Sequence, residues 1–193
     1  MNLAFRSCTC RAAALLVLAL LPARALAMPV ISEVFYDAVG SDDGLSFVEL
    51  YGTPGMSLAG LVIDNVNGAN GAVGPSLALS GSIPASGLFV VADTAAGGGS
   101  QVAGADLLLE FDFQNGPDSV VLRFGDSVLD ALGYGVFAVG EVFAGEGAPA
   151  VDVAAGASLA RRFADVDTGD NEVDFISLAI PTPGSAPLSA VPE

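Results

Sequence analysis

After its first 27 residues, the chain consists of short apolar segments separated by glycine, proline, asparagine and aspartate. The segments VISEVFY, FVELY, GLFVVAD and FISLAIP are rich in β-branched and aromatic residues, which favour strands over helices. No stretch of this part repeats apolar residues with the 3.6-residue period of an amphipathic helix. The pattern therefore predicts an all-β chain of roughly seven to nine strands packed as a β-sandwich.

Two further segments predict a hairpin. DSVVLRF (Asp118–Phe124) and SVLDALGYG (127–135) are joined by Gly125 and Asp126, a two-residue link suited to a primed turn. By contrast, the glycine-rich stretches NVNGANGAVGPS and TAAGGGSQVAGAD are predicted to be flexible surface loops. Residues 140–156 are predicted to be irregular.

The first 27 residues have the organisation of an export signal. Arg6 and Arg11 precede the apolar run AAALLVLALL, and the small residues ALA stand immediately before Met28 as a cleavage site. Ten apolar residues fall short of the roughly 20 that span a bilayer. The sequence therefore predicts a cleaved signal peptide at 1–27 and an exported protein, secreted or at the cell surface. It also predicts a sandwich domain at 28–186 and a flexible tail at 187–193.

The charge of the chain is strongly one-sided. Three of its six arginines lie in the predicted leader, all 22 acidic residues follow it, and there is no lysine or histidine, so the remainder carries a net charge of −19. Such a surface repels nucleic-acid phosphate and anionic lipid and attracts cations, although selection for solubility produces the same composition. The expected partner is an unknown protein or polysaccharide at the cell surface, with no nucleic acid and no membrane span after leader cleavage.

The composition also limits catalysis. Both cysteines, Cys8 and Cys10, lie in the predicted leader, so the remainder lacks the residues of Ser-His, Cys-His, Schiff-base and conventional zinc sites. Paired carboxylates, as in glycoside hydrolysis, are the remaining chemistry, and nothing in the sequence distinguishes one pair. We therefore predict a non-enzymatic chain without catalytic residues.

The stretch ADVDTGDNEVDF, residues 164–175, concentrates five acids in twelve positions. Read as an EF-hand loop from its first acid, it has Asp170 where glycine is required and Ile176 where glutamate is required, so it is not an EF-hand. Two interpretations remain: side chains that cap turns, which we favour, or a looser calcium site with Asp42 and Asp43 as further donors. The candidate calcium ligands are Asp165, Asp167, Asp170, Asn171 and Asp174.

Two glutamates lie within strand-like segments. Strict alternation places Glu33 on the same face as Ile31 and Phe35. It likewise places Glu49 on the same face as Phe47 and Tyr51. A carboxylate on an apolar face needs a partner, because an unpaired buried charge costs several kcal/mol. We therefore predict that an arginine neutralises an inward-facing glutamate. The arginines beyond the leader are Arg123, Arg161 and Arg162.

Taken in order, these segments resemble the lamin-tail domain, an immunoglobulin-like antiparallel β-sandwich found in nuclear lamins and in many exported bacterial proteins. VISEVFYDAVGSDDGLSFVELYG is similar to the first two strands of the family, and NGPDSVVLRFGDSVLDALGYG to its Asp-x-x-x-Tyr-Gly hairpin. SLARRFADVDTGDNEVDF and PTPGSA resemble the close of bacterial members, with Ser-Leu-x-Arg, an acidic loop and Thr-Pro-Gly. Leu61 stands where the family usually has tryptophan. The resemblance extends over residues 29–186.

The resemblance implies a non-enzymatic interaction or structural module, with no agreed catalytic residues to transfer. Arg161 occupies the arginine of the Ser-Leu-x-Arg pattern, and we predict that it forms a buried ion pair with Glu49 or Glu33. The expected function is an extracellular or cell-surface binding or structural module. The alternatives are a calcium-dependent adhesion or matrix-associated module and, third, a secreted carboxylate-based hydrolase.

Overall fold

The computed structural model describes residues 28–189; the predicted leader and the last four residues lie outside this range. No helix among the described residues is long and apolar enough to cross a membrane. They form ten strands and one helical turn. The elements are β1 (Val30–Phe35), β2 (Phe47–Tyr51), β3 (Leu61–Asn67), β4 (Val73–Ala78), β5 (Leu88–Asp93), β6 (Leu107–Leu109), β7 (Asp118–Phe124), β8 (Ser127–Tyr134), β9 (Ser158–Arg161), α1 (Asn171–Asp174) and β10 (Phe175–Leu178).

The strands form two sheets. One has six strands in the order β10-β9-β1-β2-β5-β6, and the other has four in the order β4-β3-β7-β8. Neighbouring strands are antiparallel except β5 and β6, which are parallel. The predicted all-β sandwich is confirmed, although the described chain has ten strands where about seven to nine were expected. One reason is β4, which begins inside the stretch NVNGANGAVGPS that was predicted to be a loop.

The inner faces of the two sheets bury one continuous apolar core. Leu50 of the six-stranded sheet and Ile63 and Leu122 of the four-stranded sheet are fully buried within it. Tyr36, just after β1, stacks on Tyr134 of β8 with ring centroids 4.2 Å apart. Burying one leucine or isoleucine side chain in such a core stabilises the fold by about 1.5–3 kcal/mol. A smaller cluster covers the outer face of the six-stranded sheet, and its buried members are Phe35, Ala38, Phe47, Val90 and Ala92.

A bulge in β1 decides which of its residues face the core. Ile31 lies opposite Leu50 of β2 and faces the inner core. The next pair is Glu33 with Glu49. From one pair to the next, β1 advances by two residues and β2 by one. Ser32 is therefore the inserted residue of a β-bulge. Both glutamates lie on the outer face of the sheet, so the prediction that Glu33 shares a face with Ile31 is wrong.

The predicted β7–β8 hairpin is confirmed, with Gly125 and Asp126 as its turn. Gly125 has a φ of +57°, as a type II′ turn requires at its first central position. A register shift follows the turn, and beyond it Leu122 of β7 lies opposite Asp130 of β8. Directly opposite residues project to the same face, and Leu122 is a core residue. Asp130 therefore faces the space between the sheets.

Residues 180–189, which we call the C-terminal strap, lie over the outer face of the six-stranded sheet. Thr182 and Gly184 attach the strap to glutamates of β1 and β2. At its far end, the carbonyl of Pro187 accepts the backbone N–H of Ala164. The strap thus includes the first part of the predicted flexible tail.

Candidate functional site: a buried arginine cluster and an acidic cleft

The side chain of Arg161, at the end of β9, is buried between the sheets, and the residue is 2% exposed. Its Nη2 donates to both carboxylate oxygens of Asp130 on β8, at 3.0 and 2.9 Å. Its Nη1 donates to Asp174 of α1 at 2.8 Å and to Asp167 at 3.3 Å. The ring of Phe175 lies 4.6 Å from the guanidinium carbon. We call Arg161 and its three aspartates the arginine cluster.

The prediction that Arg161 pairs with Glu49 or Glu33 is wrong. Both glutamates face the outer side of the six-stranded sheet, because the bulge turns Glu33 away from the inner side. Arg161 instead reaches across to Asp130 of the other sheet. An arginine does neutralise inward-facing acids, but these acids are Asp130 and Asp174. One buried guanidinium thus joins the two sheets and the segment that leads into β10.

Neutral donors satisfy the two glutamates. Glu33 accepts the hydroxyl at the start of β9 at 2.5 Å, and the N–H and hydroxyl of Thr182 at 2.9 and 2.8 Å. Glu49 accepts the hydroxyl of Ser32 at 2.9 Å and the N–H of Gly184 at 2.6 Å. Burial raises the pKa of Glu49 to about 7; its hydrogen bonds oppose this rise, and the charge of Glu33 adds to it.

The five candidate calcium ligands do not come together as one set of ligands. Asp165 accepts the N–H and the hydroxyl of Ser189 in the C-terminal strap. Asp170 caps the N-terminus of α1 by accepting an N–H of its first turn at 3.1 Å. Asp167 and Asp174 belong to the arginine cluster. These side chains therefore fix the loop onto the sandwich through donors of the protein itself.

Asn171, the fifth candidate, is fully buried and closes the free edge of β8. Its side-chain carbonyl accepts the backbone N–H groups of Gly133 and Glu146, at 2.8 and 2.9 Å. Its side-chain amide donates to the carbonyl of Ala131 at 2.8 Å. The side chain thus replaces the backbone pairing that a further strand would supply. Both its oxygen and its nitrogen are used in these hydrogen bonds.

One group of carboxylates within residues 28–189 has a spacing that a cation can bridge. Oxygens of Asp130, Glu146 and Asp167 lie within 4.8 Å of one another, and Arg161 contacts both aspartates. Burial, together with the charges of Asp130 and Asp167, raises the pKa of Glu146 to about 7. The guanidinium reduces the repulsion that a metal ion would otherwise be needed to offset, and the raised pKa of Glu146 makes protonation of that carboxyl a further way to reduce it.

A larger set of acids lines an open cleft of about 730 Å³ beside the ends of β5 and β6. Asp42 and Asp43, from the loop between β1 and β2, lie there with Asp93 at the end of β5. Glu110 and Asp112, which follow β6, complete the set. No arginine is among the described residues that line it. We call this concavity the acidic cleft.

The acids of the cleft fall into two kinds. Asp42 accepts a backbone N–H of its own loop at 2.7 Å, and Asp43 accepts one from the loop after β5 at 2.8 Å. Asp93 accepts two backbone N–H groups at 2.7 and 3.0 Å. Glu110 and Asp112 are exposed, and we find no hydrogen bond to either side chain from residues 28–189. Burial and the charges of Asp42 and Asp93 raise the pKa of Asp112. Three acids thus shape the cleft, and two are available to a ligand.

Four acids of these sites were not predicted from the sequence: Asp130 and Glu146 at or beside the arginine cluster, and Glu110 and Asp112 in the cleft. A signal existed for Asp130, the single acid within the strand-like SVLDALGY and the aspartate of the Asp-x-x-x-Tyr-Gly pattern. No comparable signal marks Glu146, which lies in a glycine-rich irregular segment. The cleft acids come from separate loops and meet only after folding.

No protein-family model, curated protein or solved structure matches the chain.

Proposed function

We propose that the chain is a non-enzymatic binding module of the lamin-tail type, exported from the cell and active outside it or at its surface. The observation that carries this proposal is the acidic cleft, a concavity of about 730 Å³ lined by five carboxylates. Ligand sites are typically clefts of about 300–1,000 Å³. A cleft with charges of a single sign focuses the electric field and raises the local concentration of oppositely charged partners.

The chemistry of the cleft favours a lysine- or arginine-bearing segment of another protein as the partner. The cleft carboxylates are not among the groups whose oxygens lie within 4.8 Å of one another. Their wider spacing suits several separated cationic groups better than one metal ion, which needs six to eight converging oxygens in the case of calcium. A neutral polysaccharide could donate hydroxyl hydrogen bonds to these carboxylates, but it would not be attracted by their charge.

The arrangement of the remaining polar groups supports a non-enzymatic role. The buried guanidinium of Arg161 is bound by three aspartates, and Asn171 is held at the edge of β8. These groups are occupied in joining elements of the fold. Beyond residue 27 the chain has no histidine, lysine or cysteine to act as a base or nucleophile.

Calorimetric titration with a short lysine peptide at low salt tests the proposal. The double variant Glu110→Gln/Asp112→Asn removes the two available carboxylates and should weaken binding about fivefold, since each exposed ion pair contributes roughly 0.5 kcal/mol. The matched control, Asp126→Asn/Glu172→Gln, removes the same charge from exposed positions outside the cleft. Equal weakening by both variants, or equal binding of a glutamate peptide, would contradict the proposal. Binding of a cationic polysaccharide in place of the peptide would assign the cleft to that class.

Calcium dependence is a second candidate because of the spacing of Asp130, Glu146 and Asp167. A calcium ion there would have to compete with Arg161 for two of its ligands. A ligand present at 100 times its Kd stabilises the folded state by about 2.7 kcal/mol, so thermal unfolding with calcium and then with excess chelator separates the two functions. We expect the same Tm in both; a rise with calcium that Glu146→Gln abolishes would favour the calcium-dependent module.

A further inference from the structure

Glu33 and Glu49 form a buried acidic pair without a cation. They lie directly opposite each other on β1 and β2, and their exposed fractions are 1% and 0%. No salt bridge to either is formed within residues 28–189. Like charges directly opposite on neighbouring strands repel, and two buried carboxylates that share a site do not both ionise readily. Simultaneous ionisation of the two carboxylates is therefore unfavourable.

The number of hydrogen-bond donors differs between the two carboxylates. Glu33 accepts three donors, two of them from Thr182, whereas Glu49 accepts two. Because Glu49 has fewer donors, its ionised form is stabilised less than that of Glu33 by hydrogen bonds. The charged groups that act on Glu49 are Glu33 from β1 and Asp106 from the segment before β6, and both are acidic. Burial raises the pKa of Glu49 to about 7.

The C-terminal strap is the cover of this pair. It donates to both glutamates through Thr182 and Gly184, and its sequence from 180 to 189, IPTPGSAPLS, contains no titratable side chain. It therefore brings no charge that could balance a second ionised carboxylate. When both glutamates are ionised, lifting the strap admits water to them, which removes the cost of keeping two like charges buried.

We propose that the C-terminal strap is a pH-operated cover, docked while the Glu33–Glu49 pair holds a proton and released when both carboxylates are ionised. This inference is independent of the acidic cleft and of the proposed function. Burial raises the pKa of Glu49 from its ordinary 4.5 to about 7, although the N–H of Gly184 in the strap opposes the rise. The extra stability of the docked state is therefore fully present below pH 4.5 and is lost as pH rises through about 7. Across that interval the opening equilibrium constant should rise on the order of a hundredfold.

Amide hydrogen exchange detected by NMR tests this directly on the protein. Protection factors of Thr182 and Gly184, corrected for the intrinsic effect of pH on exchange, should fall on the order of a hundredfold between pH 5 and pH 8. In Glu49→Gln, where the amide can accept from Gly184 and donate to Ser32, they should be independent of pH. Glu172→Gln, an exposed glutamate in α1, is the matched control and should behave as the wild type.

Two results would overturn the proposal. One is protection of the strap amides in the wild type that does not change with pH. The other is a fall of the same size in Glu49→Gln. Should that variant fail to fold, the ¹³C carboxyl titration of Glu49 in the wild-type protein decides the matter. A midpoint near 7 supports the proposal, and a midpoint near the ordinary 4.5 contradicts it.

Discussion

In the arginine cluster, three carboxylates surround a guanidinium that is 2% exposed, whereas in the acidic cleft five carboxylates surround open solvent. Asp130 and Asp174 of the cluster are buried and are paired with the guanidinium, because an unpaired buried charge is costly. The cleft acids are solvated or held by backbone N–H groups, and they need no counter-charge. Of the three arginines beyond residue 27, Arg161 is the buried one, and it lies where two buried aspartates need a counter-charge. The exposed acids are thereby left for an external cation.

The largest expected effect is on the cluster side of this comparison. Arg161→Ala leaves Asp130 and Asp174 buried without a counter-charge, and it should lower the free energy of unfolding by about 3–5 kcal/mol. Urea denaturation at pH 7 measures this. The matched control is Arg162→Ala, because Arg162 is exposed and donates to the carbonyl of Val173. It should cost less than about 1 kcal/mol. Similar losses for both variants would show that the cluster is not special.

The next effect concerns Asn171, whose side chain connects the acidic loop of residues 164–175 to β8. Asn171→Ala leaves the buried N–H of Gly133 and the carbonyl of Ala131 without partners, and it should cost about 2–4 kcal/mol. The exposed Asn70 provides the control, since Asn70→Ala removes one loop hydrogen bond and should cost at most about 1 kcal/mol. If Asn171→Ala is as stable as Asn70→Ala, the loop is not fixed in this way.

A smaller effect should appear in the pH dependence of stability, through Glu146 beside the arginine cluster. The pKa of Glu146 is raised from 4.5 to about 7, so its contribution to stability is complete below pH 4.5 and is lost as pH rises through about 7. Glu146 is partly exposed, which reduces the effect to about 1 kcal/mol. Between pH 4.5 and pH 8, the wild type should lose about that much more stability than Glu146→Gln. Parallel curves in chemical denaturation would refute the raised pKa.

The smallest effect is expected in the cleft. Glu110→Gln/Asp112→Asn should change the free energy of unfolding by less than about 0.5 kcal/mol at physiological salt, since neither side chain supports the fold. Any change should be stabilising, because mutual repulsion is reduced, and it should vanish at 1 M salt, where the Debye length is about 3 Å. A loss of stability near that of Arg161→Ala would show that the cleft acids are structural, and the contrast between the two regions would fail.

The sequence was sufficient for the sandwich because alternation and turn residues act locally. The run FVELY coincides with β2, and the Gly125–Asp126 link forms the hairpin turn. It was insufficient for β4, an edge strand whose first residues are Val73, Gly74 and Pro75. Glycine and proline weaken the strand signal, although proline is tolerated at a sheet edge.

The candidate site was less predictable because one inserted residue in β1 changes which side of the sheet the following residues face. The bulge at Ser32 cannot be read from the pattern of ISEVF, and it moves Glu33 away from the side on which Arg161 lies. The need for a buried arginine partner followed from charge alone, but the identity of that partner depended on register. The acidic cleft depended on how separate loops fold together, for which alternation gives no information.

The most direct test of the account is to map a short lysine peptide onto the protein by amide chemical shifts in a ¹⁵N-labelled sample. The largest shifts are expected at the residues of the cleft, in the loop of Asp42 and Asp43, near Thr94, and around Glu110 and Asp112. Salt should reduce these shifts, and the Glu110→Gln/Asp112→Asn variant should weaken them. Shifts centred on the acidic loop of Asp165 and Asp167, or spread evenly over the acidic surface, would contradict it.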